Sequence, residues 1–279
     1  MNRRKFLKLA AAGAAGTPLA GAGYGLLEAA CVRVTRHTVA VPRLPPAFAG
    51  KTVALLTDLH LGEYNSLEFV RSAVSRANAL CPDLIALAGD FVECGAACIR
   101  PCVRALAELR APLGVFAVPG NHDMTDGGRP LRRALAEFGI GDLTNSGRWV
   151  ELGSGRLRVA GVDDLWWGRP DLRRALGDAT VRDAAILLCH NPDYAETLTD
   201  PRVGLVLSGH THGGQIYLPG YGAPWVPSRY GEKYLHGLVR APVTQVFVSG
   251  GLGTVALPFR VNSPPEINLL TLTPAAGGV

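Results

Sequence analysis

Val53-Ala54-Leu55-Leu56-Thr57-Asp58-Leu59-His60 joins an apolar run of strand length directly to a carboxylate and an imidazole, and the same construction recurs four times downstream. Leu84-Ile85-Ala86-Leu87-Ala88 leads into Gly89-Asp90, and Val115-Phe116-Ala117-Val118-Pro119 leads into Gly120-Asn121-His122-Asp123. Ala185-Ile186-Leu187-Leu188-Cys189 leads into His190-Asn191-Pro192-Asp193, and Val203-Gly204-Leu205-Val206-Leu207 into Ser208-Gly209-His210-Thr211-His212. Short unbroken apolar runs closed by Gly, Asn or Asp read as strands buried on both faces. Between the first three runs, Leu67 to Leu80 and Pro101 to Arg110 carry apolar residues at helical spacing, and strand–helix–strand order argues for an α/β sheet. Ligands of such sheets collect beyond the carboxyl ends of the strands. Five strands that each deliver polar side chains there predict one shared site. Thr244 to Ser249 and Glu266 to Leu272 read as two further strands that complete a second sheet.

The residue types at those strand ends suit hard and borderline cations. Asp58 and His60 stand two apart, a spacing that in extended chain turns both side chains to one side. Asp90 adds a carboxylate whose two oxygens can bridge a metal pair, Asn121 an amide oxygen, His190 an imidazole, and His210 and His212 two more at i, i+2 spacing. Seven oxygen and nitrogen ligands without a thiolate fit Mn²⁺, Fe, Zn²⁺ or Mg²⁺. Two such ions about 3.5–4 Å apart can hold a hydroxide nucleophile and neutralise the oxygens of an in-line displacement at phosphorus. His122, next to Asn121, is the candidate acid for the leaving oxygen, and Asp123 the candidate to orient its imidazole.

These blocks, in this order, resemble the calcineurin-like metallophosphoesterases. The likeness is closer still to a bacterial twin-arginine-exported branch, through Thr57-Asp58-Leu59-His60-Leu61-Gly62, Gly161-Val162-Asp163-Asp164 and Gly209-His210-Thr211-His212-Gly213-Gly214-Gln215. The resemblance covers about residues 50–273. It implies a four-layer α/β/β/α sandwich with two mixed sheets. One metal would take Asp58, His60, Asp90 and His212, and the other Asp90, Asn121, His190 and His210, leaving His122 as the unligated acid. The implied activity is hydrolysis of a phosphodiester or pyrophosphate on a small-molecule, nucleotide-linked or lipid-linked envelope substrate. A phosphomonoesterase and a non-catalytic exported metal-binding protein are the alternatives.

The 279-residue chain holds 48% hydrophobic and 18% charged residues, a composition for one sizeable core. Its first thirty residues differ in kind. Arg3, Arg4, Lys5 and Lys8 precede an uncharged stretch from Leu9 to Leu27, a signal-peptide pattern that resembles a twin-arginine export signal. Residues 1–30 are therefore expected to be a cleaved leader or a retained membrane anchor, 31–49 a Pro-rich linker and 50–273 the catalytic domain, exported across the cytoplasmic membrane. The formal charge of +5 falls mainly in that leader, so the body offers no basic stripe for nucleic acid. The sequence leaves the oligomeric state open.

Cys94, Cys98 and Cys102 recur every fourth residue, which on one helix forms a stripe of small packing residues, with a disulfide or an extra metal site as alternatives. Glu28 spoils the position a lipoprotein signal needs before Cys31. Trp166-Trp167-Gly168-Arg169 reads either as a stacking wall or as loop packing. The aromatic stretch from Pro219 to Arg240 follows the last histidine pair, where it can border the pocket, and reads as a loop core, with an aromatic interface with lipid as the alternative.

Overall fold

A computed structural model describes residues 23–275. The leader motif up to residue 22 lies outside them, and the described part of helix α1 is residues 23–30. Two six-stranded sheets follow. The first has the order β1-β12-β2-β3-β4-β5, built from Arg33–Val41 (β1), Glu266–Pro274 (β12), Thr52–Leu56 (β2), Leu84–Leu87 (β3), Val115–Ala117 (β4) and Gly141–Asp142 (β5). The second runs β10-β11-β9-β8-β7-β6, from Gly237–Arg240, Gln245–Val248, Leu205–Ser208, Ala184–Leu188, Gly155–Gly161 and Ser146–Leu152 respectively. Both are mixed: β12 runs antiparallel to β2, and β6 and β10 run antiparallel to their neighbours, while β2–β5 and β7–β8–β9–β11 are parallel.

The alternation of side chains along each strand explains why its sequence is apolar throughout. In β2, Val53 and Leu55 enter the core between the sheets, whereas Ala54 and Leu56 face the helices α2 (Leu67–Ala79), α3 (Ala96–Leu106) and α4 (Arg129–Glu137). In β8, Ala184, Ile186 and Leu188 face the inter-sheet core, while Ala185 and Leu187 face a third cluster under α5 (Leu172–Leu176) and several 3-10 turns. The layers are thus α/β/β/α, with a thin fourth layer. Among the described residues no helix is long and apolar enough to cross a membrane.

Three expectations change. Nearly half of the expected linker is strand β1, which pairs in parallel with β12 from Arg33↔Glu266 to Val41↔Pro274, because alternate residues such as Val39 and Val41 have a core to enter. The two tail strands do not share the second sheet. Only β11 joins it, while β12 inserts between β1 and β2 and closes the first. Helix α3 begins at Ala96 rather than Pro101, and Pro101 lies inside it within the first two turns.

Leu270, fully buried on β12 between the sheets, tests this placement. Leu270→Ala is expected to lower the unfolding free energy by about 2–5 kcal/mol in chemical denaturation, and an effect below about 1 kcal/mol would mean that β12 is not packed there.

Candidate metal centre

The five parallel strands β2, β3, β4, β8 and β9 end side by side, across both sheets, and their following loops turn inward. Asp58 donates N–H to Gly89 O at 2.9 Å, and His60 N–H reaches Asp90 O at 3.0 Å, so the first two loops stay in register beyond their strands. His210 N–H contacts both carboxylate oxygens of Asp58 at 3.1 Å, which ties the second sheet to the first. Two glycines make the approach feasible. A Cβ on Gly120 would stand 2.2 Å from Asp90 Oδ1, and one on Gly209 would stand 2.2 Å from Asp58 Oδ2.

The proposed ligands fall into two groups, each with mutual ligand-atom distances within 4.8 Å: Asp58, His60 and His212 in one, Asp90, His190 and His210 in the other. Asp90 connects them, its Oδ2 lying 3.0 Å from His190 Nε2 and 3.5 Å from His60 Nε2. Imidazole nitrogens face each other at 3.1 Å (His60 Nε2 and His212 Nε2) and 3.2 Å (His210 Nδ1 and His190 Nε2). Asn121 Oδ1 is buried without a hydrogen-bond partner, which fits an amide oxygen held for a cation. The outward ring nitrogens of His60, His190 and His212 are fixed by other partners, as ligating histidines require, whereas His210 Nε2 is buried without one. His190 Nδ1 meets Ala88 O at 2.7 Å, and His60 Nδ1 meets Glu93 Oε2 at 2.9 Å.

All seven proposed ligands therefore converge, but not on extended backbone. Asp58, His60, Asp90, His210 and His212 have φ between 46° and 72°, the left-handed region that non-glycine residues seldom occupy. The i, i+2 pairs share a side because tight turns place them there. Strain held at so many adjacent positions marks a functional site.

Electrostatics point the same way. Burial alone would raise Asp58 and Asp90, yet the facing histidines hold both carboxyls below the ordinary range. Burial opposes charge on His60 and His190 as well, but the carboxylates outweigh it and push them up to about 9 and about 10. His210, buried and beside His190, falls to about 3. Protons on two imidazoles thus balance the buried carboxylates where cations would otherwise do so.

Asp123 does not orient His122. It is fully buried and accepts N–H bonds from Phe91 at 2.8 Å, Val92 at 3.3 Å and Gly120 at 2.9 Å, bracing the loops that carry Asp90 and Asn121. Burial, then the Asp90 charge, push its carboxyl up to about 7. The partner of His122 is Glu93, whose Oε2 lies 2.8 Å from His122 Nδ1 as well as beside His60. Glu93 went unread in the sequence because it stands three residues past Asp90 in a loop without periodicity; that short separation from a bridging carboxylate was its one signal.

The cysteine stripe also dissolves. Cys94 and Cys98 form a disulfide across the turn that follows Glu93 and opens α3, and Cys102 is buried in the core with Cys98 packed at its edge. No thiol joins the metal groups among the described residues. Trp166, its loop fixed by Asp164 Oδ1, packs edge-on against His210 with ring centroids 4.4 Å apart. Trp167 and Arg169 are not in the pocket wall, whereas Pro224, Trp225 and Pro227 from the aromatic stretch are.

The family model of the calcineurin-like phosphoesterases matches residues 51–214. The chain is 37% identical to the metallophosphoesterase YkuE of Bacillus subtilis over 98% of both chains, and 29% identical to the phosphodiesterase YaeI of Escherichia coli over 98% of this chain and 99% of that one. Among solved structures, the 5'-nucleotidase precursor of Thermus thermophilus aligns with 15% identity and a TM-score of 0.48, covering 73% of this chain and 49% of that one. The chain belongs to the calcineurin-like phosphoesterases and is a hydrolase of phosphoric esters with a two-metal ligand set.

Because His60 and His190 stand protonated at neutral pH and must lose those protons to ligate, metal uptake has a signed pH dependence. Titrating metal-free protein with Mn²⁺ at pH 7 in buffers of different ionisation enthalpy is expected to release about two protons per chain, with affinity weakening as pH falls. Uptake without proton release would contradict these charge states.

Proposed function

We propose that this calcineurin-like phosphoesterase hydrolyses a phosphodiester or phosphoanhydride at a two-metal centre, with His122 as the acid. The observation that carries this reading is Asp90 Oδ2 between the two ligand groups, with His122 N–H donating to the other oxygen, Oδ1, at 2.9 Å. Bound there, a pair of divalent cations supplies water activation and neutralises charge on the phosphoryl oxygens. Asp58, His60, Asp90 and His212 would hold one, and Asp90, Asn121, His190 and His210 the other.

The remaining work falls to groups of the chain itself. Burial lowers the His122 imidazole, but the hydrogen bond to Glu93 and the field of Asp90 outweigh it and hold it above the ordinary value. Glu93 itself is pulled down to about 2, chiefly by His122, and stays charged. His122 is a member of the pocket wall, and its Nδ1 is engaged by Glu93. Nε2 is thereby left to give a proton to a leaving oxygen. Trp166 covers His210 and keeps water from that side of the centre.

A diester is favoured over a monoester by a second observation. The pocket wall contains no Lys or Arg among the described residues. A monoester dianion brings one more negative charge than a diester, and no Lys or Arg of the wall would join the two cations and His122 in meeting it. The nucleotide-linked and lipid-linked substrates implied by the resemblance both satisfy this chemistry. Export through the twin-arginine machinery, with the domain outside the cytoplasmic membrane and near its surface, is part of the same proposal and rests on the leader sequence.

Two measurements test the assignment. Mn²⁺-loaded protein is expected to hydrolyse bis-p-nitrophenyl phosphate faster than p-nitrophenyl phosphate, and the reverse order would favour the monoesterase. His122→Ala should retain both metals and lose roughly 10²–10⁴-fold in kcat, with part of that loss reproduced by Glu93→Ala; wild-type turnover in His122→Ala would end the acid assignment.

A further inference from the structure

The pocket that contains Asp90, Asn121, His210 and His212 encloses about 360 Å³, and one side of it is a wall without metal-ligand side chains. Ile216, Pro224, Trp225, Pro227, Val255 and Leu257 form that wall. Trp225 is 67% exposed and Leu257 43%, so large apolar side chains stand open to solvent at the mouth of a catalytic centre. Isolated exposed apolar residues need no explanation, but a contiguous apolar wall leading to a site does.

The amide of Gln215 and the hydroxyl of Thr211 in the wall are already used. Gln215 Nε2 donates to Val255 O and Leu257 O at 3.0 and 3.2 Å, and its Oε1 accepts Val255 N–H at 2.9 Å, so this amide pins the loop that presents Val255 and Leu257. Thr211 Oγ1 donates to Leu235 O at 2.9 Å. With no Lys or Arg present, the wall offers no cations for further phosphates, and beyond the metal-site groups its remaining side-chain donors are the two indole N–H groups of Trp166 and Trp225. What it offers is dispersion contact and water exclusion.

The same loop also receives the N-terminal helix. Arg260 N–H donates to Gly25 O at 3.1 Å, and a Cβ on Gly25 would touch Phe259. Residues 23–27, the described end of the apolar stretch, therefore meet the segment that follows Leu257 through Gly25, and Leu26 and Leu27 are exposed.

We infer that this wall is a subsite for a long aliphatic chain, so that the substrate is a phosphoester amphiphile whose polar end reaches the metals while its acyl or prenyl chain lies along Ile216, Trp225 and Leu257. This rests on the phosphodiesterase reading above and selects the lipid-linked substrate over the nucleotide-linked one. Trp225 and Leu257 are its specificity-determining residues.

The test is a series of methyl, butyl and octyl p-nitrophenyl phosphates, assayed with the Mn²⁺-loaded full chain below their micelle-forming concentrations, alongside p-nitrophenyl thymidine 5'-phosphate. A fully buried CH₂ is worth roughly three- to fourfold. The open wall buries only part of the chain, so kcat/KM is expected to rise on the order of ten- to a hundredfold from methyl to octyl. The thymidine ester should stay near the methyl ester. In the Trp225→Ala/Leu257→Ala double variant the octyl-to-methyl ratio should collapse to within about threefold. A flat series, a thymidine ester faster than the octyl ester, or an unchanged ratio in the double variant would overturn the subsite. Failure to hydrolyse even the methyl ester would instead overturn the phosphodiesterase reading beneath it.

Discussion

The Asp90 carboxylate is the constraint around which the site is organised. One of its oxygens lies between two groups of histidines, the other accepts the N–H of His122, and its backbone carbonyl holds the loop of His60 in register. A buried carboxylate is tolerable only when cations, protons or hydrogen-bond donors surround it. The fold supplies donors and imidazoles from both sheets. The centre therefore belongs to neither sheet alone, and the clamp between Asp58 and the His210 N–H binds the two halves together where chemistry requires them to meet.

That arrangement costs backbone strain. Five ligands in the left-handed region are held by backbone hydrogen bonds between neighbouring loops, by glycines that allow near contact, and by the buried Asp123 beneath them. Arg260, also fully buried, donates to His212 O at 3.3 Å and to Gly253 O, fixing the second histidine pair from behind. Side chains placed in advance lose little freedom when cations arrive, and the His122 imidazole, held by Glu93, needs no search for its orientation.

Much of this was legible in the sequence because buried parallel strands and ligand-bearing strand ends leave local signals. Five apolar runs and their polar termini were read directly, and six of the seven candidate ligands from those termini fall into the two groups able to hold a cation. What escaped reading depends on distant contacts. Arg33 to Val41 looked like a connection because a strand half open to solvent lacks a continuous apolar run, and its partner β12 is more than two hundred residues away. Asp123 and Glu93 exchanged roles because a carboxylate next to an imidazole in sequence can turn away from it, whereas one thirty residues earlier can fold against it. The apolar wall brings Ile216 and Trp225 from the β9–β10 connection together with Leu257 from the β11–β12 connection, and no single stretch announces it.

Anomalous scattering from crystals of the Mn²⁺-loaded protein tests the central claim most directly. The account predicts two peaks about 3.5–4 Å apart, flanking Asp90 Oδ2, one within reach of Asp58, His60 and His212 and the other within reach of Asn121, His190 and His210. A single peak away from Asp90, or none among these side chains, would contradict it.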